Sequence, residues 1–342
     1  MTRRTWTTAF ALLVSLAAGA AAQAPAPDVT EAQLLAGARK EGTVLWYAVP
    51  IPLNDVIAAE FEKKYPGVKL EVLKGGGTQL VQKFQLEQER GAAGADCLSS
   101  GLTEAFPQLR GKGYLADLSG LPNWKKRPDW SEDPRGSYFY YANFKVGLMY
   151  NTKLLEASQA PRSFAELAQP QWKEKVALFD TTAGFAIPMF RFLIERPGLG
   201  WDWVGRVKAN DPLMMVNAAQ VDEAISSGRR SVAIVRDTEY QGALRKGAPV
   251  AFVTAKEGFM LHLMPIAVSS RAAHPYAARL FLNWLLSDEA QDRLARLGVG
   301  VPLRGDARAL TKSGGWYLDA ERVDPAETKE FISRLNGVLH GS

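Results

Sequence analysis

Short apolar runs alternate with amphipathic stretches along most of the chain. Residues 42–47 predict a buried strand, the following stretch carries apolar side chains at helical spacing, and residues 68–73 predict the next strand. The same succession repeats after the glycines at 75–77, so strands and helices alternate through the first third of the sequence. This order predicts an α/β fold with a parallel sheet that is covered by helices on both faces.

Two further apolar stretches predict strands that connect two lobes. Residues 138–151 are β-prone over a length that fits a strand running from one lobe to the other, and residues 261–268 predict the return. The 342 residues also exceed what one hydrophobic core usually serves. We therefore expect a first α/β lobe and a second α/β lobe, formed respectively by residues 30–142 with 262–305 and by residues 143–261 with 306–342.

The amino terminus has the features of a cleaved export signal. Arg3 and Arg4 precede an apolar stretch, residues 9–22, that ends in small alanines and is too short to span a membrane. We expect residues 1–22 to be removed as a signal peptide, which leaves an Ala/Pro spacer at 23–29 and a protein released into the periplasm. The general secretory route is favoured, and the paired arginines leave a twin-arginine signal open.

Composition and charge exclude several classes of protein. The net charge is +5, and loss of Arg3 and Arg4 leaves 39 basic against 36 acidic side chains, interspersed, which argues against a nucleic-acid partner. The single cysteine, Cys97, lies far from the cleavage site and predicts neither a lipid anchor in the membrane nor an internal disulfide. The three histidines lack metal-ligand spacing, and no nucleophile elbow or cofactor motif occurs. We expect no metal, no cofactor and no enzymatic activity.

Several segments of the chain occur in the order of a known family. They are residues 38–42, 61–68, 94–96, 146–151, 163–167 and 274–291. Together with the export signal, their order and spacing resemble the periplasmic solute-binding proteins of the iron(III), thiamine, polyamine and phosphonate type, called family 1 extracellular solute-binding proteins. The resemblance spans roughly residues 35–303.

The resemblance implies a two-lobed periplasmic-binding-protein-like fold of type II, in which two crossover strands join the α/β lobes and the ligand binds in the cleft between them. It implies a receptor that delivers a small molecule to the permease subunits of an ABC transporter, with hinge closure as the signal. We expect the receptor to be a monomer. An exported enzyme on the same scaffold is the alternative from another class, because a fold alone does not decide function.

Polar and glycine-rich loops after the predicted strands are the candidate ligand contacts, since open α/β sheets bind ligands beyond the carboxyl ends of their strands. Each has a plain structural alternative as a turn, a helix cap or a core residue. The candidates in the first lobe are Tyr47, Gly76, Gly77, Thr78, Ser99 and Ser100. Those in the crossover strand and the second lobe are Asn143, Thr181, Thr182, Gly184 and Asn217.

Arg236 and Asp237 follow a predicted strand and give the most specific expectation about the ligand. A guanidinium group at the cleft can bind a carboxylate or a phosphonate through two parallel hydrogen bonds, and Asp237 could pair with an amine. We therefore expect a small organic anion or a zwitterion. The alternatives are that Arg236 bonds Glu239 within its own loop, or that Arg236 and Asp237 form a surface pair.

Iron(III) is not expected as the ligand, although the resemblance includes iron receptors. In the iron-binding branch two adjacent tyrosines follow the strand that corresponds to residues 232–235, and Thr238 and Glu239 hold those positions here. Tyr140 and Tyr141 are adjacent but lie in a predicted strand, where successive side chains point to opposite faces. An iron(III) receptor of the same family is the alternative to an organic-anion receptor.

Overall fold

The computed structural model describes residues 29–51, 53–127, 133, 135–296 and 315–341. The predicted signal peptide, and the spacer apart from residue 29, lie outside the described residues. So does the predicted lobe boundary at residues 305 and 306. Within the described part of the chain, no helix is long and apolar enough to cross a membrane.

Ten strands form one mixed sheet in the described residues. In chain order they are β1 (Thr43–Ala48), β2 (Lys69–Lys74), β3 (Cys97–Ser99), β4 (Tyr138–Asn151), β5 (Val176–Phe179), β6 (Leu213–Met215), β7 (Val232–Arg236), β8 (Val250–Val253), β9 (Phe259–Val268) and β10 (Gly315–Trp316). The order across the sheet is β2-β1-β3-β9-β4-β7-β5-β6, with β10 beside β9 and β8 beside β4.

The long strands β4 and β9 join two groups of parallel strands. They pair antiparallel, from Tyr138 opposite Ala267 to Val146 opposite Met260. β9 also pairs with β3, which is followed across the sheet by the parallel strands β1 and β2. β4 also pairs with β7, which is followed by the parallel strands β5 and β6. This topology confirms the prediction of two α/β groups joined by two crossover strands. The residue boundaries of the two lobes stay a prediction.

The α-helices of the described residues flank this sheet, and their ends carry the expected signals. Thr30 and Gln33 form a reciprocal capping box at the first helix, which ends at Gly42 with φ 74°. In chain order the helices are α1 (Glu31–Glu41), α2 (Leu53–Lys64), α3 (Gly77–Glu89), α4 (Ala105–Gly111), α5 (Ala186–Ile194), α6 (Gly200–Ala209), α7 (Ala218–Ser226), α8 (Asp237–Arg245), α9 (Pro275–Leu285), α10 (Asp288–Arg296) and α11 (Pro325–His340).

The two faces of the first group of strands are covered by separate hydrophobic cores. Trp46 of β1 packs against Phe281 of α9, with ring centroids 5.3 Å apart, and Phe61 of α2 lies 5.3 Å from the same ring. Tyr47, the next residue of β1, belongs to the other core, which continues into the second group of strands. Burial of each aromatic ring of this kind contributes about 2 to 3 kcal/mol to the free energy of folding and so stabilises the packing of the helices on the sheet.

Candidate functional site

A cavity of about 460 Å³ lies between the loops of the two strand groups. One side comes from the loops after β1 and β2, and the other from the segments after β5 and β6 and from the last residue of β7. The described residues that line it are Val49, Pro50, Ile51, Gly75, Gly76, Gly77, Gln79, Gly101, Phe179, Thr182, Ala183, Gly184, Phe185, Val216, Asn217, Ala218 and Arg236.

The carboxyl ends of five strands deliver these residues to the cavity. Val49 directly follows β1 and Gly75 directly follows β2. Phe179 and Arg236 are the last residues of β5 and β7, and Val216 directly follows β6. Ligands of open α/β sheets bind at this edge, because the loops and helix starts that follow parallel strands meet there.

Four helices begin at the cavity. The residues that immediately precede α3, α5, α7 and α8 are Gly76, Phe185, Asn217 and Arg236, and all four line it. The first N–H groups of a helix have no partner within the helix, and each helix start carries a partial positive charge. The Oδ1 atom of Asn217 accepts a hydrogen bond from the backbone N–H of Gln220 at 3.1 Å, which fixes the start of α7. The convergence suits a negatively charged group.

Arg236 is the only formally charged residue among the described lining residues, and it is already paired. Its Nε donates to both carboxylate oxygens of Glu239, at 3.0 and 3.1 Å, and its Nη2 donates to Oε1. Its guanidinium carbon lies 5.5 Å from the ring centroid of Phe144 and 4.9 Å from that of Phe185. Both members of the pair are 5% exposed. Arg236 therefore reaches the cavity as one half of a neutral ion pair.

Two titratable groups, the half-buried Asp237 and the buried His262, lie beside this ion pair but do not line the cavity. Burial raises the pKa of Asp237 to about 6, and its carboxylate accepts a hydrogen bond from the backbone N–H of Lys145. Burial, together with the charge of Arg236, lowers the pKa of His262 to about 3. His262 is therefore neutral at physiological pH, and its Nε2 lies 3.1 Å from the carbonyl oxygen of Gly101.

The structure brings together part of the predicted set of ligand contacts. The predicted residues that line the cavity are Gly76, Gly77, Thr182, Gly184, Asn217 and Arg236. The predicted residues that do not line it are Tyr47, Thr78, Ser99, Ser100, Asn143, Thr181 and Asp237. The first set comes from helix starts and from the loops just before them.

Three of the residues outside the cavity use their hydroxyl groups in other contacts. The Tyr47 hydroxyl donates to Glu87 Oε1 at 3.0 Å, and Ser99 Oγ accepts from the indole Nε1 of Trp46 at 3.0 Å. Thr181 Oγ1 bonds Asn336 Oδ1 of α11 at 2.6 Å. These side chains face the core or the carboxyl-terminal helix rather than the cavity.

The other predicted residues lie close to the cavity without lining it. Ser100 Oγ accepts a hydrogen bond from the backbone N–H of Leu102 at 3.1 Å. It also packs against Gly77, since a β-carbon on Gly77 would lie 2.8 Å from it. Thr78 lines a separate cavity of about 280 Å³. Asn143 is buried in β4, opposite Leu263 of β9. Asp237 is not placed to meet an amine in the main cavity.

Sequence reasoning missed the apolar part of the lining. Phe179 and Phe185 form a T-shaped pair with ring centroids 5.1 Å apart, and Ile51 and Val216 also line the cavity. The available signal was the position of Phe179 and Val216 at the ends of predicted strands; Phe185 and Ile51 lie in the segments that follow such strands. Apolar side chains near strand ends are more often part of the core, so they were not predicted as ligand contacts.

The described residues offer no metal site of the usual kind. No group of three or more His, Cys, Asp or Glu residues in them is placed to hold a metal ion. The described lining residues of the cavity carry no carboxylate, phenol, imidazole or thiol group. The polar groups they present are backbone N–H groups, the amides of Gln79 and Asn217, the hydroxyl group of Thr182 and the guanidinium group of Arg236.

Two strand groups joined by two crossover strands, with a cavity between their loops, define a protein of the two-lobed periplasmic-binding-protein class. The chain belongs to the family of bacterial extracellular solute-binding proteins, whose sequence profile matches residues 56–321. It is a solute-binding receptor and not an enzyme. The predictions of the fold and of the family are confirmed.

Individual relatives differ in the ligands for which they are named. The chain is 25% identical over 289 residues to the Fe(3+)-binding periplasmic protein of Serratia marcescens, covering 77% of this chain and 80% of that protein. It is 24% identical over 294 residues to the spermidine/putrescine-binding periplasmic protein 1 of Haemophilus influenzae, covering 80% and 79%. The crystal structure of a substrate-binding protein of an ABC transporter from Agrobacterium tumefaciens matches with a TM-score of 0.80 at 18% identity, covering 87% and 94%.

Proposed function

We propose that this receptor captures a small organic anion of the carboxylate or phosphonate class in the cavity between the two strand groups. The observation that carries the proposal is the convergence of four helix starts on a cavity whose described lining residues include no acidic side chain. Partial positive charge from the helix starts stabilises an anion there. The apolar wall formed by Phe179 and Phe185 accommodates the body of the molecule.

The same lining supports a simple anion better than a zwitterion. A ligand amine would need a carboxylate or a similar acceptor, and Asp237, the predicted partner, is not among the residues that line the cavity. The Asp237 carboxylate accepts a hydrogen bond from the backbone N–H of Lys145. An amine in the cavity would lack a charged partner among the described lining residues.

The ligands named for the two relatives require groups that this lining does not present. Iron(III) prefers hard anionic oxygens, and a polyamine needs carboxylates to balance its charges. Tyr240, the one tyrosine of α8, packs against Phe252 with ring centroids 5.5 Å apart. No specific observation on this chain favours either ligand.

The effect of one substitution on affinity distinguishes a receptor for an anionic cargo from a receptor for a cationic one. Native mass spectrometry of protein purified without refolding identifies the cargo. Calorimetry then measures the affinity of that cargo for Asn217→Asp, which keeps a helix-capping oxygen at the start of α7 and adds a negative charge to the lining. We expect affinity to fall by about tenfold or more, equivalent to about 1.4 kcal/mol.

The control for this experiment is Asn217→Ser, which also caps a helix but adds no charge. Its affinity for the cargo should stay much closer to that of the wild type. Unchanged or tighter binding by Asn217→Asp, or recovery of a polyamine as the cargo, would refute an anion receptor.

We further propose that the precursor is cleaved after Ala22 and that the mature monomer meets the permease subunits of its transporter in the periplasm without a membrane anchor. The charged start, the apolar stretch and the small residues before position 23 support cleavage there. Intact mass of the periplasmic protein tests the cleavage, and a retained segment 1–22 in that fraction would contradict it.

A further inference from the structure

We infer that Glu239 sets the charge selectivity of the cavity and reserves it for singly charged anions, carboxylates in preference to doubly charged phosphonates. This inference rests on the proposed function and narrows it. Glu239 is not itself a lining residue of the cavity. It acts through Arg236, so it is a positioning residue for the guanidinium group that reaches the ligand.

The geometry of the pair determines how much of the guanidinium is left for a ligand. The carboxylate of Glu239 occupies the edge formed by Nε and Nη2 of Arg236, and its Oε2 also accepts from the backbone N–H of Arg236 at 2.9 Å. The remaining nitrogen, Nη1, makes no hydrogen bond to a described residue. Arg236 can therefore still donate to a ligand oxygen, but its formal charge is already balanced.

The charges around Arg236 limit the charge of the ligand. His262 is neutral and contributes nothing, while Asp237 adds a second carboxylate above its pKa of about 6. Without a ligand, the side chains of Arg236, Asp237 and Glu239 thus sum to about −1 above this pKa and to about zero below it. The remaining attraction for an anion comes from the helix starts, each equivalent to about half a positive charge. A second negative charge on the ligand would meet no further cationic side chain among the described lining residues, so its desolvation would be balanced less well than that of the first charge.

The test substitution is Glu239→Gln, which removes the charge and keeps the shape. Glu239 is the third residue of α8, and glutamine at this position can also accept from the backbone N–H of Arg236 as part of a capping box. The helix start is therefore retained while the guanidinium charge becomes free. The matched control is Glu223→Gln, which removes one negative charge from an exposed position of α7.

Benzoate and phenylphosphonate are suitable probes, because they share a ring and differ in charge. Calorimetry on cargo-free protein at about pH 8.5, where the phosphonate carries two charges, gives the ratio of their affinities. We expect the wild type and Glu223→Gln to bind benzoate at least about tenfold more tightly than phenylphosphonate. In Glu239→Gln the ratio should change by about tenfold or more in favour of phenylphosphonate.

A loss of helix capping alone would weaken both probes together and leave the ratio unchanged. The inference is therefore overturned if the ratio in Glu239→Gln equals that of the wild type, if the wild type prefers phenylphosphonate, or if neither probe binds to the folded protein. None of these results contradicts the proposal of an anion receptor, which is tested by recovery of the cargo in native mass spectrometry. The proposed selectivity can therefore be wrong while the proposed function is right.

Discussion

Gly77 and Gly184, which both line the cavity, are in close contact, and a β-carbon placed on Gly77 would lie 3.4 Å from the α-carbon of Gly184. Gly77 is the first residue of α3, which follows β2 of the first strand group. Gly184 lies two residues before α5, which follows β5 of the second group. Their backbones meet without side chains between them. In a receptor that closes by hinge motion, this contact limits how closely the two sides can approach.

The first prediction concerns this contact. In Gly184→Ala the new β-carbon would lie 3.1 Å from the backbone nitrogen of Leu102, which is not a flexible side chain and must move with its loop. The loops should separate by a few tenths of an ångström, and affinity for the cargo should fall by about tenfold. The free energy of unfolding without ligand should change by less than about 1 kcal/mol. Calorimetry and chemical denaturation measure the two quantities.

The control for the glycine contact is Gly205→Ala in α6, where a β-carbon meets nothing within 4 Å. It should leave affinity unchanged and raise stability by roughly 0.5 to 1 kcal/mol, because alanine is the better helix former. Equal affinities for Gly184→Ala and the wild type would show that the contact does not limit closure.

A second prediction follows from the burial of the Arg236–Glu239 pair. Arg236→Ala leaves the carboxylate of Glu239 buried without its partner, and its side chain is only 1% exposed. We expect the free energy of unfolding to fall by about 3 kcal/mol, since breaking a buried ion pair on one side is strongly destabilising. The double variant Arg236→Ala with Glu239→Gln should regain more than half of this loss. Denaturation by urea at pH 7 tests both variants, and equal stabilities of the single and the double variant would contradict the prediction.

A third prediction concerns Glu104, at the start of α4. Burial raises the pKa of its carboxyl group to about 7, against 4.5 for the free side chain, and neither oxygen has a hydrogen-bond partner within the described residues. An acid whose pKa is higher in the folded state favours folding below about pH 4.5 and loses that contribution as the pH rises to about 7. The difference corresponds to about 3 kcal/mol.

Glu104→Gln cannot titrate, so its stability relative to the wild type should rise by about 3 kcal/mol between pH 4.5 and about pH 8. Glu330→Gln, at an exposed position of α11, is the control and should follow the wild type at each pH. Denaturation curves at several pH values give the comparison. Parallel profiles for Glu104→Gln and the wild type would show that this carboxyl group has an ordinary pKa in the folded protein.

The fourth prediction concerns iron(III). Titration with ferric citrate should produce no visible charge-transfer band between phenolate and iron, because no tyrosine is among the described lining residues of the cavity. Tyr140 and Tyr141 belong to different hydrophobic cores and cannot both reach one ion. The visible absorbance of the protein during the titration, after subtraction of a matched titration of buffer, measures the effect. A band that grows with added iron and saturates at one equivalent would refute this prediction.

The secondary structure could be predicted well because each element is specified locally. The apolar runs at 138–151, 176–179 and 250–253 coincide with β4, β5 and β8, and the run at 232–235 differs from β7 by the inclusion of Arg236. A helix after the glycines at 75–77 was also predicted, although α3 begins one residue earlier, at Gly77. The fold follows from the alternation of these elements.

The sequence by itself determined the alternation of strands and helices, the two crossover strands and the loops at the carboxyl ends of the strands. Only the tertiary structure decided which side chains of those loops face the cavity. Thr182 lines it and Thr181 bonds Asn336, although the two are neighbours, because successive residues of a tight turn point in different directions. The pairing of Arg236 with Glu239 and the apolar wall around Phe179 likewise depend on burial, which arises when distant segments pack together.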